Sequence, residues 1–225
     1  MLYRMDNSDH IKIFTNIYEK CIWGTNNNSM YKGSSGDGSD IEYNIKTYIP
    51  FLKTFIKQND IRSIVDLGCG DFRCGPYIYN DLDIKYTGYD AYNKVVQRNT
   101  SIYPIVKYNF IHLDIVNNKE EIISGDICIL KDVMQHWTTD EINIFLDYLI
   151  ASKKFKYILL CNCSYQDIDS YHSREGEHLF RPLSANYQPL KKYNPKILYT
   201  YESKEISVII SSQVDLDFSR FPRLV

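Results

Sequence analysis

The stretch IVDLGCGD, residues 64–71, runs β-branched residues straight into Gly-Cys-Gly. At the end of a strand in an α/β sheet, glycines take backbone angles closed to other residues and admit a ligand close to the main chain. The next apolar run, KYTGYD, ends in Asp90, where an acid can accept hydrogen bonds from both hydroxyls of a ribose. A third run, FIHLDI, carries Asp114 at the position from which a carboxylate meets an exocyclic adenine amine. Each signal has a plain alternative: a tight turn for Gly68-Cys69-Gly70, a helix cap for Asp90, an ordinary turn aspartate for Asp114. Together, at three successive strand ends, they point to a ligand that contains adenosine. The residues after Gly70, Asp71-Phe72-Arg73-Cys74, complete neither a GxGxxG nor a GK[ST] phosphate loop. An acid at position 71 suits a sulfonium and an ammonium better than a pyrophosphate.

A second group of reactive residues lies in LKDVMQHW, residues 130–137. A neutral imidazole takes a proton near pH 7, so His136 is the first candidate for a general base, with a structural imidazole capping the next helix as the alternative. Asp132 is the second candidate, or a partner that orients His136. No Asn/Asp-Pro-Pro-Tyr/Phe run follows this strand. Between Cys161 and Leu190 a long polar and aromatic insertion follows, and loops of this length in a compact domain are commonly functional. Asn162, Asp169 and Arg181 are its candidate polar contacts to an acceptor. His172, Glu175, Glu177 and His178 form an alternative metal set, but without a helical i, i+4 histidine pair the expectation is that no metal is bound.

These residues need a scaffold, and the hydrophobic periodicity describes one. Apolar residues at helical spacing predict a helix over 10–22, a Gly/Ser/Asn-rich loop over 23–39, and a second helix over 39–56, kinked or restarted at Pro50. Strands are expected at 61–67, 84–90, 107–112, 126–131 and 155–162. Helices are expected near 74–80, 92–99, 117–123 and 139–150, the last opened by a Thr138/Glu141 capping box. Strands alternating with helices imply right-handed crossovers and a mostly parallel sheet. ILYTYES and EISVIIS, between 197 and 212, should close it with an antiparallel hairpin. No linker divides the chain, so residues 1–225 read as one domain, with N-terminal helices and loop over 1–59 and the α/β core over 60–225.

Composition narrows the class. With 26 Lys and Arg against 28 Asp and Glu, the net charge of -2 disfavours nucleic acid as a partner. No apolar leader or membrane-length run is present, which predicts a cytoplasmic protein, and the six scattered cysteines read as reduced thiols. Cys161 and Cys163 are spaced to share one face of a strand, unlike a CxxC zinc knuckle.

VDLGCGD, Asp90, Leu113-Asp114 and DICILKDVMQHW, taken in order, resemble the successive motifs of class I S-adenosylmethionine-dependent methyltransferases. The resemblance implies a Rossmann-like, mostly parallel seven-stranded sheet and S-adenosylmethionine as methyl donor, with S-adenosylhomocysteine as product. It further implies cofactor contacts from Asp66, Gly68, Cys69, Gly70, Asp90, Asp114, Ile115 and Lys131. Residues 23–39 would form a lid over the cofactor, with Trp23 either a wall of the acceptor pocket or core packing. The 130–137 segment is similar to the LKxxLHDW of small-molecule O-methyltransferases. Aligned on Lys131 and Trp137, that histidine falls on Gln135, which places Gln135 at the acceptor and leaves His136 one position on. The implied acceptor is a hydroxyl of a small molecule or sugar. An RNA cap or tRNA methyltransferase, and a binding module without catalysis, are the rivals.

Overall fold

The computed structural model describes residues 9–165, 168–169 and 180–210. Seven strands form one sheet: β1 (Ser63–Leu67), β2 (Lys85–Asp90), β3 (Tyr108–His112), β4 (Gly125–Lys131), β5 (Phe155–Cys163), β6 (Lys196–Tyr201) and β7 (Lys204–Ile210). Their order is β3-β2-β1-β4-β5-β7-β6. The first five run parallel, while β7 lies antiparallel to both β5 and β6. The order reverses between β1 and β4, so the crevice at their carboxyl ends is the natural ligand site of this architecture.

Alternation along the central strands divides the core into two layers. Ile127 and Ile129 of β4 join a cluster with α3 (Tyr48–Gln58), α4 (Gly75–Tyr79) and α5 (Asn93–Ile102). Cys128 and Leu130 face the opposite layer, where α6 (Thr139–Ser152) contributes Ile142, Phe145, Leu146 and Leu149. Burial on both faces explains why these strands read as continuous apolar runs.

The amphipathic N-terminal segment forms α1 (His10–Glu19), three residues shorter than the spacing suggests, because Cys21 turns back with φ 54°. The second expected helix is two: α2 (Ile41–Asn44) and α3, separated at Thr47. Pro50 does not cause the break. It lies in the first turn of α3, where a missing N–H costs no intrahelical bond. Near 117–123 only a 3₁₀ turn, Lys119–Glu121, is present, since Asp114 gathers the preceding backbone into a turn of its own. Of the 161–190 insertion, residues 166–167 and 170–179 lie outside the described residues, and with them His172, Glu175, Glu177 and His178. Among the described residues no helix is long and apolar enough to cross a membrane.

The Thr138 capping box is complete: the Glu141 N–H donates to Thr138 Oγ1 at 3.2 Å, and the Thr138 N–H donates to Glu141 Oε2 at 2.8 Å. An N-cap of this kind contributes about 1 kcal/mol. Thr138→Ala should therefore lower the thermal midpoint by about 2–4 °C in a chain of this size. A melting curve that superimposes on the wild type would show that the cap carries no net energy.

Candidate functional site

A cavity with about 1080 Å³ of empty space, its mouth included, opens over the carboxyl ends of β1, β2 and β4. Its floor is the turn after β1. The N–H groups of Gly68 and Cys69 both donate to the Tyr89 carbonyl, at 2.8 and 2.9 Å, and that of Gly70 donates to Asp90 Oδ2 at 2.9 Å. Gly68 (φ 86°) and Gly70 (φ 53°) hold left-handed angles. A Cβ on Gly68 would stand 2.4 Å from Val133 Cγ2, and one on Gly70 would stand 2.6 Å from Ser35 Oγ. The room the glycines leave thus also seats the chain's own β4 loop and lid.

Three carboxylates face this floor. Asp90 accepts from the Gly70 and Tyr92 N–H groups, both at 2.9 Å, which fixes its plane. Burial pushes its carboxyl up to about 6, against the opposing pull of those two bonds. Asp66 is likewise pushed up to about 6 by burial, although Tyr86 Oη donates to its Oδ2 at 2.7 Å. Asp71 receives Arg73 Nε on Oδ2 at 2.7 Å, while its Oδ1 is buried without a hydrogen-bond partner. Buried orphan acceptors are rare and mark a place where a ligand or water belongs.

The loop over 23–39 is seated on this floor. Ser35 Oγ lies 2.6 Å from Tyr18 Oη and accepts from the Asp71 N–H at 2.8 Å. Arg73 pairs with Asp40, and Lys131 Nζ donates to the Gly38 carbonyl at 2.6 Å. Lys131 also pairs with Asp132 at 2.6 Å, and Lys204 holds the other oxygen of Asp132. Burial works to raise the Asp132 carboxyl, but the two ammonium groups hold it down to about 2. A carboxylate so held is a poor proton acceptor, which corrects its place as an alternative base. Its left-handed φ of 59° turns the chain so that residues 133–137 swing across the cavity.

His136 arrives at the mouth on that turn. Its ring lies 4.8 Å from Trp23, 6.4 Å from Phe14 and 5.9 Å from Phe180, centroid to centroid. The lid's Trp23 is therefore part of the cavity wall as well as packed. The first helix also contributes to the roof, which the sequence reading missed. His10, Phe14 and Tyr18 line the cavity, and His10 Nε2 lies 3.0 Å from Glu141 Oε1. Periodicity marked the apolar face of α1 but carried no information about what it covers. Asp71 was legible as a sulfonium-tolerant position, yet only the orphaned oxygen makes it a candidate contact.

Asp66, Gly68, Cys69, Gly70, Asp90, Ile115, Lys131, Asp132, His136 and Trp23 all line the cavity. Asp114 does not. Its Oδ1 accepts the Val116 and Asn117 N–H groups at 3.1 and 3.0 Å, and its Oδ2 accepts Asn117 Nδ2 at 2.8 Å and the His10 N–H at 3.2 Å. Its bonds are those of the ordinary turn aspartate, the alternative to the adenine role. The expected polar acceptor contacts do not line the cavity either. Gln135 is buried and accepts the Cys163 N–H at 3.2 Å, and Arg181 is buried with Thr139 Oγ1 and the Trp137 carbonyl as acceptors. Asn162 is buried away from the cavity, and exposed Asp169 accepts the Gln188 N–H at 2.7 Å. Of these, Arg181 reaches the first residue of α6, and Gln135 ties the turn after β4 to the end of β5.

No family model matches the sequence, and no curated protein matches it. Solved structures do. Magnesium protoporphyrin IX methyltransferase from Synechocystis PCC 6803 with bound S-adenosylhomocysteine superposes with a TM-score of 0.59 at 13% identity, over 89% of this chain and 99% of that one. The methyltransferase domain of a bacterial Hen1 gives 0.55 at 14%, over 74% and 98%. Human N-acetylserotonin methyltransferase in complex with S-adenosylmethionine gives 0.55 at 13%, over 73% and 52%. The fold is that of class I S-adenosylmethionine-dependent methyltransferases, and at these identities it is the fold that the likeness establishes.

The raised Asp66 carboxyl has a stability consequence. Its folded value lies above its unfolded one, so the folded state holds the proton more tightly, and stability falls as pH rises from about 4 to about 6. Asp66→Asn keeps an acceptor for Tyr86 Oη without the charge. It should raise the melting temperature at pH 8 and leave it nearly unchanged at pH 4. Equal shifts at both values would mean that the buried charge is not the cause.

Proposed function

We propose that the protein is an S-adenosylmethionine-dependent methyltransferase that modifies a hydroxyl group of a small molecule or sugar. The observation that carries the reading is one cavity in which Asp90, its plane fixed by two backbone N–H groups, stands beside the orphaned Oδ1 of Asp71. A carboxylate has about four lone-pair sites. Asp90 thus keeps acceptors for two ribose hydroxyls after receiving Gly70 and Tyr92, and Asp71 Oδ1 suits the ammonium of an amino acid. The turn through Gly68, Cys69 and Gly70 lets the methionyl part approach the backbone, and Ile115 supplies apolar cover at the adenine end. Fixed donors and acceptors of this kind align the reactants, which is most of what a displacement at an activated carbon requires.

Bound S-adenosylmethionine supplies an electrophilic methyl group on a sulfonium, and sulfur keeps the pair of the broken bond. His136, half-buried at the mouth, takes the proton of the acceptor hydroxyl. Lys131 and Asp132 position the lid. An RNA acceptor would want a cationic stripe beside the mouth, whereas Lys131, the cation of the β4 end, is paired with Asp132 and the Gly38 carbonyl.

Asp90→Ala should weaken S-adenosylhomocysteine binding at least roughly tenfold, since a hydrogen bond to a charged group contributes about 1.5–3 kcal/mol. Calorimetry on a variant that still melts cooperatively checks this, and wild-type affinity would remove Asp90 from the site. His136→Asn should retain cofactor affinity and lose about 10²–10⁴ in turnover, the usual cost of lost general-base help. Labelled-methyl transfer to an accepted substrate reads it, and near-normal turnover would make the imidazole structural.

A further inference from the structure

We infer that the protein has a second ligand site, outside the methyl-transfer cavity, that takes a small organic carboxylate with a short apolar chain. The inference does not depend on the methyltransferase reading. A separate open cavity, with about 1060 Å³ of empty space including its mouth, lies between the loop over 26–31 and the C-terminal half of α5. Asp71 and Arg73 line both cavities, so the chain after the glycine turn divides them. The loop wall is braced by its own asparagines. The Asn28 N–H donates to Asn26 Oδ1 at 2.7 Å, and Asn28 Oδ1 accepts the Met30 and Tyr31 N–H groups at 2.7 and 3.3 Å. The Tyr31 ring is thereby set in the core, edge-on to Tyr18 at 5.9 Å and to Tyr92 at 5.5 Å. Tyr31 lines the second cavity and is 4% exposed, and its hydroxyl is buried without a hydrogen-bond partner. The Asn28 side chain approaches that hydroxyl without closing a bond, and burial keeps the proton on the oxygen. A buried O–H with no acceptor costs free energy and marks a place where a ligand belongs.

Arg98 supplies the charge on the opposite wall. Its Nη1 donates to the Asp71 carbonyl at 3.1 Å and to Asn99 Oδ1 at 3.2 Å, and the Tyr103 hydroxyl lies beside the guanidinium. Those partners are neutral, and among the described residues no carboxylate pairs with it. Arg73, by contrast, is held by Asp71 and Asp40. Two guanidinium groups and the Asp71 carboxylate leave the wall with one positive charge, which one monoanion balances. A carboxylate matches the flat guanidinium fork with two parallel bonds and keeps lone pairs for the Tyr31 hydroxyl. A phosphate monoester carries close to two negative charges at neutral pH, and the second would be brought up against Asp71. Met30 and Ile102, 41% and 53% exposed, line the same cavity and offer a short hydrocarbon chain a surface that gains by burial.

Titration of the full chain with acetate, hexanoate and hexyl phosphate at constant ionic strength, followed by nitrogen-15 NMR, tests this. Hexanoate should produce saturable shifts at the Arg98 Nε–H and the Tyr31 amide. Acetate should bind at least roughly tenfold more weakly, since each buried methylene contributes a factor of about four. Hexyl phosphate should also bind less tightly than hexanoate. Arg98→Gln should weaken hexanoate at least roughly tenfold, the cost of a lost bond between charged groups. Tyr31→Phe should weaken it by about tenfold and yet raise the melting temperature of the ligand-free protein, because it deletes a buried hydroxyl with no partner. A tyrosine that only packs would not combine those two effects. Tyr31→Phe carries the test where Arg98→Gln melts abnormally. Shifts that do not saturate, hexanoate affinity unchanged in a folded variant, tighter binding of hexyl phosphate, or displacement of hexanoate by S-adenosylhomocysteine would each overturn the inference.

Discussion

The Asp132 carboxylate, held between the ammonium groups of Lys131 and Lys204, is the interaction on which the upper half of the molecule depends. Asp132 belongs to the turn after β4, Lys204 to the start of β7, and Lys131 reaches the Gly38 carbonyl of the lid. Three segments distant in sequence therefore meet at one charge. Two cations against one anion leave an excess, which the Gly38 carbonyl and the Tyr48 ring, 5.3 Å from Lys131 Nζ, accommodate. Removing Asp132 would leave two buried ammonium groups without their counter-charge, typically a loss of about 3–5 kcal/mol. The left-handed backbone of Asp132 then acts as a corner, and His136 is at the mouth because the chain turns there.

Below that corner the charge balance changes sign. Asp66, Asp71 and Asp90 converge on the glycine turn, and burial pushes two of them up to about 6. Asp71 keeps a buried oxygen without a partner. None of this serves stability, since each group would be better solvated in the unfolded chain. Local departures from stable design concentrate where a fold meets a ligand, and an acidic floor suits one that brings an ammonium and a sulfonium.

The lower half was legible in the sequence and the upper half was not, for a physical reason. Gly68, Gly70 and Asp90 sit at strand ends, where parallel topology dictates which way the backbone leads, so a pattern of glycines and acids could be read directly as geometry. Asp114 shows the limit: its position after β3 matched the pattern, but its oxygens are filled by Val116, Asn117 and His10, and filling cannot be read from spacing. Gln135, Asn162 and Arg181 are likewise polar residues of a functional-looking stretch, yet all three are buried and none lines the cavity. Trp23 and His136, left open between packing and function, pack against each other and both line the cavity.

That double role ties the two ends of the cavity together. Trp23 and Ser35 belong to one short loop, closed on itself by Ser34 Oγ donating to the Trp23 carbonyl at 2.8 Å and by the pairing of Thr25 with Gly33. Ser35 touches the glycine floor through the Asp71 N–H, and Trp23 touches His136. Ser35 and Trp23 therefore anchor one short loop at two places, the glycine floor and the His136 ring. Any energetic coupling between those two anchors would act equally in both directions.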